Sequence, residues 1–239
     1  MIVTHLDKNY LLWGKLLLLS AAKNAPDEEV YISAANLEPE DVKWLSQFHS
    51  HGIIRNHKIN VPETIEYRRY MQCRITQVLL EAFGEYAGED KLIIAMNADM
   101  LIRKPMDELY RRIKGNDVLI KFDTKHLQAS EIQNGVIVFN SKSTRIFPFL
   151  AYYNSITWKD GVTYRDDQRG LHKSFNTWSD DLLFGSLPHD YIDGHFNKDS
   201  HIWSAHVHNR FTNYNKFLKE LGLPEEITCP HPKEWGVPC

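Results

Sequence analysis

A chain of 239 residues is long enough to bury a full core without help from disulfides or a structural metal. Hydrophobic residues make up 43% and charged residues 25%, which is ordinary globular usage and excludes a disordered or low-complexity protein. Lysine and arginine total 28 against 31 acidic residues, so the net charge of −3 gives no general attraction for nucleic acid, and any anion site must be built locally.

Ile2–His5 reads as a first strand, followed by the polar loop Leu6-Asp7-Lys8-Asn9 and a helix over Tyr10–Asn24 that ends before Pro26 and Asp27. Val30–Ala34 suits a second strand, Pro39–Phe48 a helix, and Ile53–Val61 an extended segment. A longer helix over Ile65–Phe83 carries Arg68, Arg69 and Arg74 and stops near Gly84. The apolar run Leu92-Ile93-Ile94-Ala95-Met96 then halts at Asn97-Ala98-Asp99 and resumes as Met100-Leu101-Ile102. Pro105 begins a helix through Arg112, Val118–Phe122 and Val136–Phe139 are short strands flanking a polar loop, and a helix lies near Thr144–Tyr153. Tyr164–Gln168 is an Asp-rich segment at the start of a further helix, and Ile202–Ala205 is a short strand.

This alternation predicts an α/β fold with a mainly parallel central sheet and helices on both faces. No Pro/Gly/Ser linker, repeat or low-complexity tract marks a boundary, so a single domain is expected. Cys73, Cys229 and Cys239 are odd in number and widely spaced, which fits neither a disulfide framework nor a zinc motif and favours a reducing compartment. Leu11–Leu19 is interrupted by Gly14 and Lys15 and is too short to span a bilayer. The expectation is a soluble, cytoplasmic protein without a transmembrane segment.

The break at Asn97-Ala98-Asp99 is the strongest chemical signal. A strand buried on both faces reads as a continuous apolar run, and open α/β sheets bind ligands beyond the carboxyl ends of such strands. Asp99 therefore stands where a metal or nucleotide phosphate would sit, although Asn and Asp also begin ordinary turns. Asn97 would contribute through its amide oxygen.

Ala205-His206-Val207-His208-Asn209-Arg210 follows a strand, so both histidines would share a face and suit a borderline metal; a surface histidine pair is the alternative. Asp166, Asp167 and Gln168 place two carboxylates and an amide at a helix start, either as base or nucleophile or as helix-capping residues. Asn134-Gly135 would let backbone approach a ligand, or would make a tight turn. Arg74 is placed to meet phosphate or sugar hydroxyls, whereas Arg68 and Arg69 are solvated. Trp203, Phe211, Tyr214 and Trp235 line an acceptor groove or, more simply, pack in the core.

In this order, Asp7-Lys8-Asn9-Tyr10, Arg74, Asn97-Ala98-Asp99-Met100-Leu101-Ile102, Asn134-Gly135, Asp166-Asp167-Gln168 and His206 resemble the GT-A nucleotide-sugar glycosyltransferases. The family 8 type, related to glycogenin and bacterial galactosyltransferases, is the nearest in pattern, and the resemblance covers about residues 1 to 210. It implies a Rossmann-like GT-A domain, with a nucleotide-binding half over about residues 1–104 and an acceptor-side half over about 105–239. Thr4, Asp7, Asn9 and Tyr10 would line the nucleoside pocket and Arg74 would contact the donor. Asn97, Asp99 and His206 would hold Mn²⁺ or Mg²⁺ on the diphosphate, and Asn134, Gly135 and Asp166 would face the donor sugar.

Two departures from the pattern stand out. The family generally has Asp at the position of Asn97, so this DXD-like motif carries one fewer negative charge. After His206 the family usually continues with Gly and a Lys-Pro-Trp element; here His208-Asn209-Arg210 follows, and Arg210 would substitute as a phosphate contact by charge. Alignment through Asp166-Asp167-Gln168 is ambiguous by one residue, so Asp167 and Gln168 compete for the place beside the anomeric carbon.

The expected function is a metal-dependent hexosyltransferase using a nucleoside diphosphate sugar, UDP before GDP, and a hydroxyl acceptor. A catalytically silent GT-A-like binding module is the alternative, kept open by Asn97. A sugar nucleotidyltransferase would need a Gly-rich basic loop after the first strand, and Leu6-Asp7-Lys8-Asn9 is not one.

Overall fold

A computed structural model of the chain describes residues 1–62, 65–86, 88–122, 132–159, 166–188, 191–205 and 210–225, without the side chains of Gln133, Asn134, Asp166, Arg210 and Phe211. The described elements run β1 (Ile2–Asp7), α1 (Leu11–Asn24), β2 (Val30–Ala35), α2 (Pro39–Leu45), β3 (Gly52–His57), α3 (Tyr67–Cys73), α4 (Ile75–Tyr86), β4 (Leu92–Met96), β5 (Met100–Ile102) and α5 (Asp107–Arg112). They continue through β6 (Val118–Phe122), β7 (Ile132–Asn140), α6 (Ile146–Trp158), α7 (Asp166–Trp178), β8 (Phe184–Ser186), β9 (Ile192–Asp193), β10 (Ile202–Ser204) and α8 (Arg210–Leu221). Seven strands form a mainly parallel sheet in the order β3-β2-β1-β4-β7-β6-β8, flanked by helices, and β5, β10 and β9 form a small second sheet. The expected α/β class is the one observed. Among the described residues no helix is long and apolar enough to cross a membrane.

The described residues fall into two compact units, one drawn from Met1–His5, Ile59–Met96 and Asp107–His189, the other from Leu6–Lys58, Asn97–Met106 and Asp190–Cys239. In the first, β1 and β4 are parallel, with Val3 opposite Ala95, and β4 and β7 are antiparallel, with Met96 opposite Val136. All five residues of β4 are buried, which is why its sequence is an unbroken apolar run. Helix α4 turns Val78, Leu79, Ala82 and Phe83 into this core, where Phe83 meets Phe139 edge-on at 5.7 Å between ring centroids. Helices α6 and α7 pack closely at Gly170: a methyl there would lie 2.3 Å from Thr157 Oγ1 and 3.3 Å from Tyr153 Cε2, so a side chain would force the pair apart.

In the second unit β2 and β3 are parallel, and β5 and β10 are antiparallel, with Met100 opposite Ser204. Its core joins α1, β5, β10 and α8 through Trp13, Leu16, Leu101, Trp203, Ala205, Tyr214, Phe217 and Leu218. The Trp13 ring meets Tyr214 and Phe217 edge-on at 5.4 and 5.7 Å. Trp203 and Tyr214 are thus core residues rather than groove lining, as the simpler reading of the aromatic tail expected; Trp235 lies outside the described residues.

Three local features differ from the expected elements. The helix foreseen over Ile65–Phe83 is two helices that break at Arg74, where the Thr76 hydroxyl donates to the Cys73 carbonyl at 3.0 Å and competes with the helical ladder. Asn134-Gly135 lies within β7 rather than in a tight turn before it. Strands β8 and β9 and helix α8 were not anticipated; β8 and β9 are too short to show a period.

Candidate functional site

The parallel register of β1 and β4 sends the chain out of both strands at the same sheet edge, the edge at which open α/β sheets take ligands. Asp7 is the last residue of β1, with Asn9 two residues on, and Asn97 and Asp99 follow β4 in sequence.

In the second unit, Asp7 is buried and Asn9 is tied to it twice, the Asn9 backbone N–H donating to Oδ1 at 3.0 Å and Asn9 Nδ2 donating to Oδ2 at 3.1 Å. Asp7 thereby caps a 3-10 turn, Lys8–Tyr10, and fixes where the next side chains emerge. Tyr10 packs against the aromatic core, and Lys8 reaches outward to Asp41 at 3.5 Å.

Asp99 lies between β4 and β5 at only 4% exposure, and its backbone carbonyl accepts the Ala205 N–H at 2.9 Å. Among the described residues its carboxylate accepts no hydrogen bond and forms no ion pair. A carboxylate so placed, without a counter-charge among the described residues, is suited to meet a cation. Asn97, half-buried two residues earlier, offers a neutral amide oxygen. One carboxylate and one amide oxygen fit the chemistry of a hard divalent cation such as Mg²⁺ or Mn²⁺. Among the described residues no group of three or more His, Cys, Asp and Glu is gathered as a metal cage. His206, the residue after Ala205, lies outside the described residues, as do His208 and the Arg210 side chain.

In the first unit, Thr4 is fully buried and its hydroxyl has no hydrogen-bond partner. Next to it, His5 Nε2 donates to the Met71 carbonyl at 2.6 Å, tying β1 to α3. Arg74, 5% exposed, sits at the break between α3 and α4. Burial pushes the His5 pKa down to about 4; the Met71 hydrogen bond opposes the shift and the Arg74 charge adds to it. His5 is therefore a neutral imidazole beside a buried guanidinium, which leaves Arg74 as the cation of this pair. Arg69, by contrast, is half-exposed and pairs with Glu66 at 2.9 Å.

The neutral His5 has a consequence for stability. Above pH 6.5 the ring is uncharged whether the chain is folded or not. Between about 6.5 and 4 only the unfolded chain takes up the proton, so stability falls as the pH is lowered across that window, by roughly 3 kcal/mol for a shift of this size. His49, held down by burial and by His51, acts in the same direction. Denaturant midpoints measured at pH 7.5 and pH 4.5 should fall for the wild type, and His5→Leu should flatten that slope whatever it does to the baseline.

The β7 segment carrying Gly135 is a bulge. Ile120 pairs with Ile137 but Lys121 pairs with Gln133, so residues 134–136 are left over opposite β6, an irregularity that commonly re-aims a strand beside a site. At the head of α7, Gln168 Nε2 donates to the Ile132 carbonyl at 3.0 Å, anchoring the helix start to the first residue of β7. Asp167 is half-buried in the first turn of α7; the side chains of Asp166 and Asn134 lie outside the described residues. The structure thus brings Asp7 to Asn9, and the α7 start to the strand that holds the bulge. The sequence does not single out His5 or Tyr153 as site residues. An imidazole inside an otherwise apolar strand was the available sign for His5; nothing local marks Tyr153.

No family model matches the chain, and no curated protein matches it in sequence. Solved structures do. The galactosyltransferase LgtC, in complex with donor and acceptor sugar analogs, aligns over 98% of both chains with TM-score 0.61 and 16% identity. The fold is that of the GT-A glycosyltransferases. GlyE, a glycosyltransferase of Streptococcus pneumoniae TIGR4, shares this GT-A architecture over 93% of the present chain with TM-score 0.63 and 12% identity. The bifunctional WbbM shares it over 98% with TM-score 0.61 and 14% identity. The chain spans 60% of the GlyE chain and 50% of the WbbM chain.

Proposed function

We propose that this GT-A chain is a glycosyltransferase that moves a hexose from a nucleoside diphosphate sugar to a hydroxyl of a glycan or other acceptor, with UDP favoured over GDP. Asp99 carries the reading: a buried carboxylate after β4, without a protein counter-charge among the described residues, is suited to a cation that meets a diphosphate. LgtC, whose structure holds donor and acceptor sugar analogs and whose length the chain matches, supports the same reading.

Asp99 and Asn97 would hold Mn²⁺ or Mg²⁺, together with His206. When bound, the ion would supply charge neutralisation to the departing diphosphate. Asp7, Asn9, Tyr10 and Thr4 would take the nucleoside, and Arg74 and Arg210 would share the phosphate charge. Asn134, Gly135 and Asp166 would face the sugar, with Asp167 or Gln168 beside the reacting carbon.

The test is nucleotide release from UDP-galactose, UDP-glucose and GDP-mannose in Mn²⁺ and after chelation. Release of UDP that stops on chelation is expected. A protein that binds nucleotide but releases none from any donor is a silent binding module instead.

A further inference from the structure

Tyr153 carries a hydroxyl that the fold does not use. The side chain is 1% exposed, and its OH has no hydrogen-bond partner among the described residues, an arrangement that native proteins rarely leave without a reason. Its position is built rather than incidental. Gly170 lets α6 come close to α7, so that Tyr153 Cε2, at the hydroxyl end of the ring, would lie 3.3 Å from a methyl at Gly170. Thr157, one turn further along α6, donates its hydroxyl to the Tyr153 carbonyl at 2.9 Å and occupies the rest of the Gly170 gap. Asp167 stands three residues before Gly170, on the same face of α7. The start of that helix is in turn fixed to β7 by the Gln168 bond to Ile132. Burial, with the Asp167 charge and Cys73 adding to it, keeps the phenol protonated, so it is a standing hydrogen-bond donor.

We propose that Tyr153 is a positioning residue for Asp167, donating its hydroxyl to the Asp167 carboxylate when donor is bound and fixing that carboxylate toward the reacting sugar. The inference rests on the proposed transferase function and adds a residue to it. The Tyr153 ring meets α7 at Gly170, about one turn from Asp167, so the hydroxyl would act on the orientation of Asp167 and not on the nucleotide.

Tyr153→Phe tests this cleanly, because removing a hydroxyl without a partner should cost the fold nothing. With UDP-galactose or UDP-glucose and Mn²⁺, the variant should melt within about two degrees of wild type and keep its donor KM within about twofold. Its kcat should fall about ten- to hundredfold, as for loss of a hydrogen bond to a charged group. An unchanged kcat overturns the inference, as does a rise in KM alone, which would make Tyr153 a donor contact. A lowered melting temperature with unchanged kcat would make it a core residue and also overturn it. If the wild type releases no nucleotide from either donor, the transferase reading itself fails, a result distinct from an active wild type with an equally active variant.

Discussion

Asp99→Ala should abolish metal-dependent nucleotide binding and lower turnover at least about a hundredfold, while the chain stays folded. The structural part of this expectation follows from what Asp99 does not do. Among the described residues its side chain is neither a cap nor an ion-pair partner, so its removal breaks no hydrogen bond or ion pair among them. Removing a buried charge of this kind should leave the metal-free protein as stable as wild type or more so. The cation should reveal the difference: Mn²⁺ should raise the melting temperature of the wild type by mass action and leave that of Asp99→Ala unmoved. A variant that kept full turnover, or one still stabilised by Mn²⁺, would place the cation elsewhere.

Asp167→Asn should lower turnover about a hundredfold or more while sparing nucleotide binding, as expected for a carboxylate that acts on the reacting sugar. The substitution keeps shape and removes charge, and the helix start remains anchored because the bond to Ile132 is made by Gln168. Steady-state kinetics separate the roles. A fall in kcat at constant donor KM marks a carboxylate at the reacting carbon, whereas a rise in KM at constant kcat would make Asp167 a donor-holding group. A matched series at Gln168 would show the other pattern if its main task is to hold α7 on β7, namely a fall in stability together with turnover.

What was legible in the sequence was what repeats or persists. The β4 run could be read because every residue in it is buried, and Asp99 stood out because it interrupts such a run. The helix break at Arg74 could not be read, since neither Gly nor Pro marks it and the Thr76 hydroxyl that disturbs the ladder is an ordinary helical residue by type. The bulge at residues 134–136 is a property of two strands together, visible only once Lys121 is seen opposite Gln133. Helix α8 has helical spacing in Tyr214, Phe217, Leu218 and Leu221, but the aromatic and polar residues between them mask that period. The partnerless hydroxyl of Tyr153 depends on Gly170 in another helix, a relation no local pattern encodes.

The most direct test of the central claim is calorimetric titration of the purified protein with UDP and with GDP, each in Mn²⁺ and again after chelation. The account predicts that UDP binds in the presence of Mn²⁺ and that chelation removes or sharply weakens that binding. Equal binding with and without the metal, or no binding of either nucleotide, would contradict a cation held at Asp99 on a nucleotide-sugar donor.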